Sequence, residues 1–194
     1  MPKIEAETVK AHRAQMEDKL IDAAQTLLID QDDRAFTAQA VAQHVGIARN
    51  SLYRYVDSID DLRARVIARW LPTWIDAVDA AVATATNPRD KLLAYIDINL
   101  EYAHASSHGK LITIAQSLSP EYRATITSAH EQLAGMVTDW CARLDPDGYV
   151  LTAAFIQAIL NTGFDQLARG GELSTIRKRC RSAILAIIDD RTNQ

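Results

Sequence analysis

Arg49, Asn50 and Ser51 stand side by side at the start of a short predicted helix. An arginine can place two hydrogen bonds on the edge of guanine. An asparagine can do the same on adenine, and each such pair is worth ~1–3 kcal/mol of discrimination. Residues at the first turn of a recognition helix are the ones offered to base edges in the major groove, and here those are Ala48, Arg49, Asn50 and Ser51. Thr37, Gln39, Arg54 and Ser58 are candidate phosphate partners, Tyr53 and Tyr55 could face the backbone or the groove wall, and Gln43 and His44 lie nearby. Between Asp33 and Asp57 the chain has no acidic residue, while Arg34, Arg49 and Arg54 are present. A surface that faces phosphates must exclude carboxylates, and this window does.

Two short elements must hold these groups. Thr37 is a good N-cap for a helix over Ala38–His44. Gly46 then supplies the tight or left-handed turn, and Ala48–Tyr55 reads as a second helix. Two short helices joined by a turn of three or four residues containing glycine are the helix-turn-helix pattern. Phe36, Val41, Val45, Ile47 and Leu52 form the apolar set that would fix the two helices against each other.

The run Gly46-Ile47-Ala48-Arg49-Asn50-Ser51-Leu52-Tyr53-Arg54-Tyr55, with Thr37 ahead and Ser58 to Leu62 behind, resembles the TetR family of bacterial transcriptional regulators. The likeness covers roughly residues 18 to 68. It places a glycine in the turn, a Leu-Tyr-x-Tyr run at the end of the recognition helix and a serine at the start of a long fourth helix. Three positions depart from the family pattern. Val56 stands where phenylalanine is usual, and Asp32 or Asp33 replaces a glycine after the first helix. Ile59 stands where a lysine often reaches a DNA phosphate, so that backbone contact is missing. The resemblance implies an all-α fold of about nine helices. Three belong to a DNA-binding domain over residues 1–57, and six to an effector-binding and dimerisation domain over 58–194.

Composition agrees with a helical fold. The 194 residues include few Gly and Pro, and Ala and Leu are frequent. The net charge is −4 and the pI about 5.7, so positive charge for DNA would have to be concentrated locally. The N-terminal residues lack the apolar core of a signal peptide, and no apolar run approaches ~18 residues, so the expected compartment is the cytoplasm with no membrane contact. Cys141 and Cys180 make neither a disulfide framework nor a zinc site and read as buried thiols. His104 and His108 share a metal-like spacing, but no third ligand is evident, so no metal and no cofactor is expected.

The remaining pattern is helical throughout. Residues 1–17 form a polar arm that is either a free tail or an extension of the first helix, which reads as Leu20–Asp30; Lys3, Lys10, Arg13 and Lys19 could brush phosphates. Ser58-Ile59-Asp60-Asp61 opens a helix, with Ser58 as cap. Pro72 either kinks that helix or ends it. Asn87-Pro88 opens the next, a short helix follows over Lys110–Ser117, and Ser119-Pro120-Glu121 opens a longer one striped by Tyr122, Ile126, Ala129, Leu133, Met136, Val137, Trp140 and Leu144. Tyr149–Ala168 is apolar on nearly all sides, and Ser174–Asp189 carries an apolar stripe. These last two helices are too apolar for a monomer's surface. Phe155, Ile159, Phe164, Ile176, Cys180, Ile184 and Ile187 could pair across a two-fold axis. Two recognition helices would then be spaced near one DNA turn, ~34–36 Å, on a palindromic operator.

An effector pocket would draw on Trp70, Trp74, Tyr95, Asn99, Tyr102, His130, Leu133, Met136, Trp140, Phe155 and Gln157. Small ligands are usually bound in mostly apolar cavities with a few polar groups, although aromatic residues at helical spacing are more often plain core. The resulting expectation is a homodimeric regulator of double-stranded DNA, a repressor released by a small apolar or amphipathic effector. The alternatives are a regulator without a small-molecule inducer, acting as an activator or through a protein partner, and more remotely a helical enzyme. For the last, no nucleophile–base pair or phosphate loop is present in the sequence.

Overall fold

The computed structural model describes residues 3–30, 36–105 and 118–189. All regular structure among them is α-helical. The helices are α1 (Lys3–Asp30), α2 (Ala38–Val45), α3 (Arg49–Leu52), α4 (Ile59–Ala83), α5 (Pro88–His104), α6 (Pro120–Leu144), α7 (Tyr149–Ala168) and α8 (Leu173–Asp189). The short helix expected over 110–117, and with it Arg34 and His108, lies outside the described residues.

The chain folds as two compact units, Met1–Trp70 with Thr113–Ala124, and Leu71–Ile112 with Thr125–Gln194. The first turns of α4 thus belong to the first compact unit, which runs to Trp70. The reason is packing: Leu62, Val66 and Ile67 on the first turns of α4 are buried with the helix-turn-helix core.

That first core is built from Leu20, Ala24, Leu27 and Leu28 of α1, Phe36, Val41 and Ala42 around α2, Leu52 of α3, and the α4 residues just named. Burying one such leucine or valine completely is worth ~1.5–3 kcal/mol, far more than helix propensity supplies to pieces this short. Val45 and Ile47, expected in the same set, are only half-buried. The polar arm proves to be helix from Lys3 onward, so α1 runs 28 residues. Residues 8–15 of it are exposed, and Arg13 is bonded to Glu17 one turn on at 2.8 Å. Arg69 of α4 pairs with Asp22 and ties α1 down.

Pro72 lies inside α4 rather than at its end. The helix passes through it and gives up the one backbone bond that the missing N–H would have made. In the second unit, Asn87 caps α5 by accepting from the Asp90 amide at 2.9 Å, with Pro88 in the first turn. Glu172 opens α8 in place of the expected Ser174. Its carboxylate accepts from the amides of Ser174 and Thr175 and from the Ser174 hydroxyl, which hold its pKa down to about 2. The core here joins Leu92, Ile96 and Leu100 of α5, Leu133, Val137 and Trp140 of α6, Ile156 and Leu160 of α7, and Ile184 of α8. Across the α5–α8 seam run three ion pairs: Arg89 with Asp189, Asp97 with Arg181, and Glu101 with Arg177. Exposed pairs of this kind contribute little stability but favour one register.

Candidate nucleic-acid interface

The local chemistry sets the geometry of α2 and α3. Thr37 is extended, with φ −130° and ψ 157°, and its hydroxyl accepts from the Ala40 amide at 3.2 Å. At the other end Gly46 has φ 79°, in the left-handed region. The Ile47 amide donates to the Ala42 carbonyl at 2.9 Å and the Gly46 amide to the Gln43 carbonyl at 3.2 Å. This is the paired bonding of a glycine-ended helix. It turns the chain sharply enough for Ala48 to begin the next element. The α-helical part of that element is one turn, Arg49–Leu52, not the expected Ala48–Tyr55. Beyond it the Arg54 and Tyr55 amides donate three residues back, to Ser51 and Leu52, a tighter winding than an α-helix. Leu52 is fully buried and anchors the turn, which leaves its other faces outward.

Those faces carry the predicted groups. Thr37, Gln39, Gln43, His44, Ala48, Arg49, Asn50, Tyr53 and Arg54 are exposed, while Ser51 and Tyr55 are half-buried. Neither Arg49 nor Arg54 makes an ion pair among the described residues. By contrast Arg63, Arg65 and Arg69 of α4 each hold a carboxylate, Asp60, Asp61 and Asp22. Among the described residues, the charges of Arg49 and Arg54 are thus open to an outside anion, whereas those of α4 are held by carboxylates. Arg63 also lies over the Phe36 ring, 5.0 Å from its centroid.

Ser58, a candidate phosphate partner, has its hydroxyl engaged within the protein. It accepts from the Asp61 amide at 2.9 Å and donates to the Tyr122 hydroxyl at 3.2 Å. Asp61 is itself buried, accepts from the Asp57 amide at 3.0 Å and holds Arg65 at 2.8 Å. The hydrogen bond that Arg65 donates to Asp61 is the main cause of the raised Arg65 pKa. Ser58 caps the Asp61 amide while the Asp61 carboxylate takes the Asp57 amide, so the entry to α4 is bonded on both sides of Ser58.

In the second unit the expected pocket residues divide. The Trp74 indole donates to Asn99 Oδ1 at 3.1 Å, and Asn99, which is buried, donates to the Tyr95 carbonyl at 2.8 Å. Trp74 meets His130 edge-on at 5.5 Å, and Tyr95 meets Trp140 edge-on at 6.1 Å. The Tyr102 hydroxyl donates to the Thr73 carbonyl at 3.4 Å. Leu133 is buried and Met136 half-buried beside them on α6. Burial pushes the Tyr95 hydroxyl up to about 12. Trp70 belongs to the other unit. Phe155 is 47% exposed and Gln157 bonds Asn161 along α7, so neither shares this cluster's hydrogen bonds or ring contacts.

Phe155 instead lines an outward groove between α7 and α8, about 580 Å³ in volume, with Ile159, Cys180 and Ile187 from the expected dimer set. Ala158, Thr162, Arg179 and Ala183 complete it and were not foreseen, because small and polar residues carry no hydrophobic signal. Ile184, of the same expected set, is fully buried in the internal core of the single chain. Phe164 and Ile176 are half-buried and pack against that core.

Among the described residues the structure is all-helical and sets two exposed arginines without an ion pair on a helix-turn-helix, an arrangement suited to DNA. Comparison with known proteins agrees. The family model for bacterial regulatory proteins of the tetR family matches residues 20–66. The HTH-type transcriptional regulator AlkX of Mycobacterium tuberculosis is 27% identical over 163 residues, 78% of this chain and 76% of that protein. Among solved structures, a putative transcriptional regulator from Saccharomonospora viridis in complex with choline superposes with a TM-score of 0.72 at 14% identity, covering 88% of this chain and 96% of that one. FadR from Bacillus subtilis in complex with stearoyl-CoA gives 0.67 at 13% identity, with 88% and 96% covered. Residues 20–66 thus match the DNA-binding region of tetR-family regulators, and most of the chain is similar in sequence or fold to regulators of that kind. No helix among the described residues is long and apolar enough to cross a membrane.

Proposed function

We propose that the protein is a homodimeric repressor that binds a roughly palindromic operator and is released by a small apolar or amphipathic effector. One observation carries the DNA half of this reading: Arg49 and Arg54 are exposed and make no ion pair among the described residues, in a stretch of sequence without a single carboxylate. Arg49 and Asn50, with Ser51 and Ala48, read bases. Thr37, Gln39, His44, Tyr53, Arg54 and Tyr55 position the phosphates. Such a surface serves the chain in the cytoplasm, where the operator is.

The dimer is supported by the groove around Phe155 and by Val150 and Leu151, 66% and 52% exposed on the same helix. Large apolar groups in that density on a surface favour a second copy over water. The effector is supported by the polar atoms of Trp74 and Asn99 set among Tyr95, Tyr102, His130, Leu133, Met136 and Trp140. The related folds were solved with choline and with stearoyl-CoA, so ligand chemistry varies within this architecture. Release requires the effector to bind one arrangement better than the other; equal affinity for both would shift nothing.

Gel-shift titration of the purified protein on the DNA flanking its own gene tests the reading. A retained fragment that resists nonspecific competitor DNA supports it. Retention that competitor abolishes at every fragment overturns it.

A further inference from the structure

Tyr122 sits in the first turn of α6, 64 positions along the chain from Ser58, yet its hydroxyl takes the Ser58 hydrogen bond at 3.2 Å. The segment is anchored twice, because Leu118, one turn earlier, is 1% exposed. Helix α6 then continues to Leu144 and carries Leu133, Val137, Trp140 and Cys141 into the core of the second unit. The serine that caps α4 lies three residues beyond the recognition turn, which ends at Tyr55. The start of α4 is thus held from two sides, by its own cap with Asp61 and by the beginning of α6.

We propose that Tyr122 is a positioning residue for DNA binding, acting through Ser58 to hold the recognition turn and the start of α4 in one orientation. The inference rests on the DNA-binding reading above and adds a positioning residue to it. Breaking this bond frees the start of α4, and DNA must then select the competent orientation from a wider set. Tyr122 itself contacts neither base nor phosphate.

The test uses the full chain and a duplex selected by the wild-type protein from a random pool. Tyr122→Phe removes the bond to Ser58 and leaves the Ser58 cap on the Asp61 amide in place. One such bond corresponds to a loss of about two- to tenfold in affinity. The slope of affinity against salt stays unchanged, because no phosphate contact is lost. In a Ser58→Ala background Tyr122→Phe has no further effect, and Ser58→Thr, which keeps the hydroxyl, restores the response. An affinity within 1.5-fold of wild type, an equal loss in the Ser58→Ala background, or a salt slope reduced by about one overturns the proposal. Hydrogen exchange at the Asp61 and Leu62 amides without DNA is a second arm. Faster exchange in Tyr122→Phe supports the proposal, and unchanged exchange overturns it. If the wild type selects no duplex, the DNA-binding reading fails, and the exchange arm still decides whether the bond holds α4.

Discussion

Gly46→Ala and Gly135→Ala are the same chemical change, and the structure predicts opposite signs for them. A β-carbon at either position meets no atom within 4 Å, so crowding plays no part. At Gly46 the backbone sits at φ 79°, where an L-residue's β-carbon crowds its own carbonyl oxygen, at ~1–2 kcal/mol. At Gly135, inside α6 with ordinary helical angles, alanine removes the entropy cost of glycine in a helix and stabilises by roughly 0.5–1 kcal/mol. Hydrogen exchange read amide by amide separates the two units. Gly46→Ala should speed exchange at Val41 and Ala42 by about five- to thirtyfold, since ~1.4 kcal/mol is a factor of ten. Gly135→Ala should slow exchange around Leu133 and Val137 by about two- to fivefold. If Gly46→Ala leaves the α2 amides as protected as in the wild type, the left-handed turn is not what sets the angle between α2 and α3.

Three further outcomes follow from other parts of the molecule. Arg49→Ala should change the melting temperature little, as an exposed arginine without an ion pair contributes within ~0.5 kcal/mol, while specific DNA affinity falls by about 5- to 150-fold, read by fluorescence anisotropy. Phe155→Asp should convert a dimer to a monomer in sedimentation velocity without loss of helical circular dichroism, because the side chain is half-exposed in the single chain. Tyr95 has its folded pKa raised from 10.0 to about 12, and Cys141 from 9.0 to about 11, both chiefly by burial. Each contributes stability that is present below its unfolded value and lost as pH rises through its folded one. Urea titrations from pH 9 to 12 should therefore show the second unit weakening, and the Tyr95→Phe variant should lose less between pH 10 and 12.

The helix-turn-helix that carries the candidate site was legible in the sequence because its signals are local. Thr37, Gly46 and Asn87-Pro88 act on the backbone within four residues, and each ends or begins a helix where its chemistry predicts. The unpaired state of Arg49 and Arg54 was foreshadowed by the absence of acids nearby in the chain. What escaped was decided at long range. Tyr122 reads as one member of an apolar stripe, and nothing in its neighbourhood points to Ser58. Ile184 and Ile187 lie on the same predicted stripe, but one faces the core and the other the groove. The shortened α3 was not readable either, since nothing in the residues after Leu52 signals the tighter bonds that end it. The continuation of α4 through Pro72 was left open by the sequence.

The central claim is that the turn at Arg49–Leu52 reads DNA as one half of a symmetric pair. Selection of duplexes from a random pool by the wild-type protein, followed by sequencing, tests it most directly. The predicted result is a two-fold-related motif whose half-sites are centred about one helical turn apart, or a multiple of it, and whose enrichment is lost with Arg49→Ala. A pool that stays random, or a motif unchanged by Arg49→Ala, would contradict it.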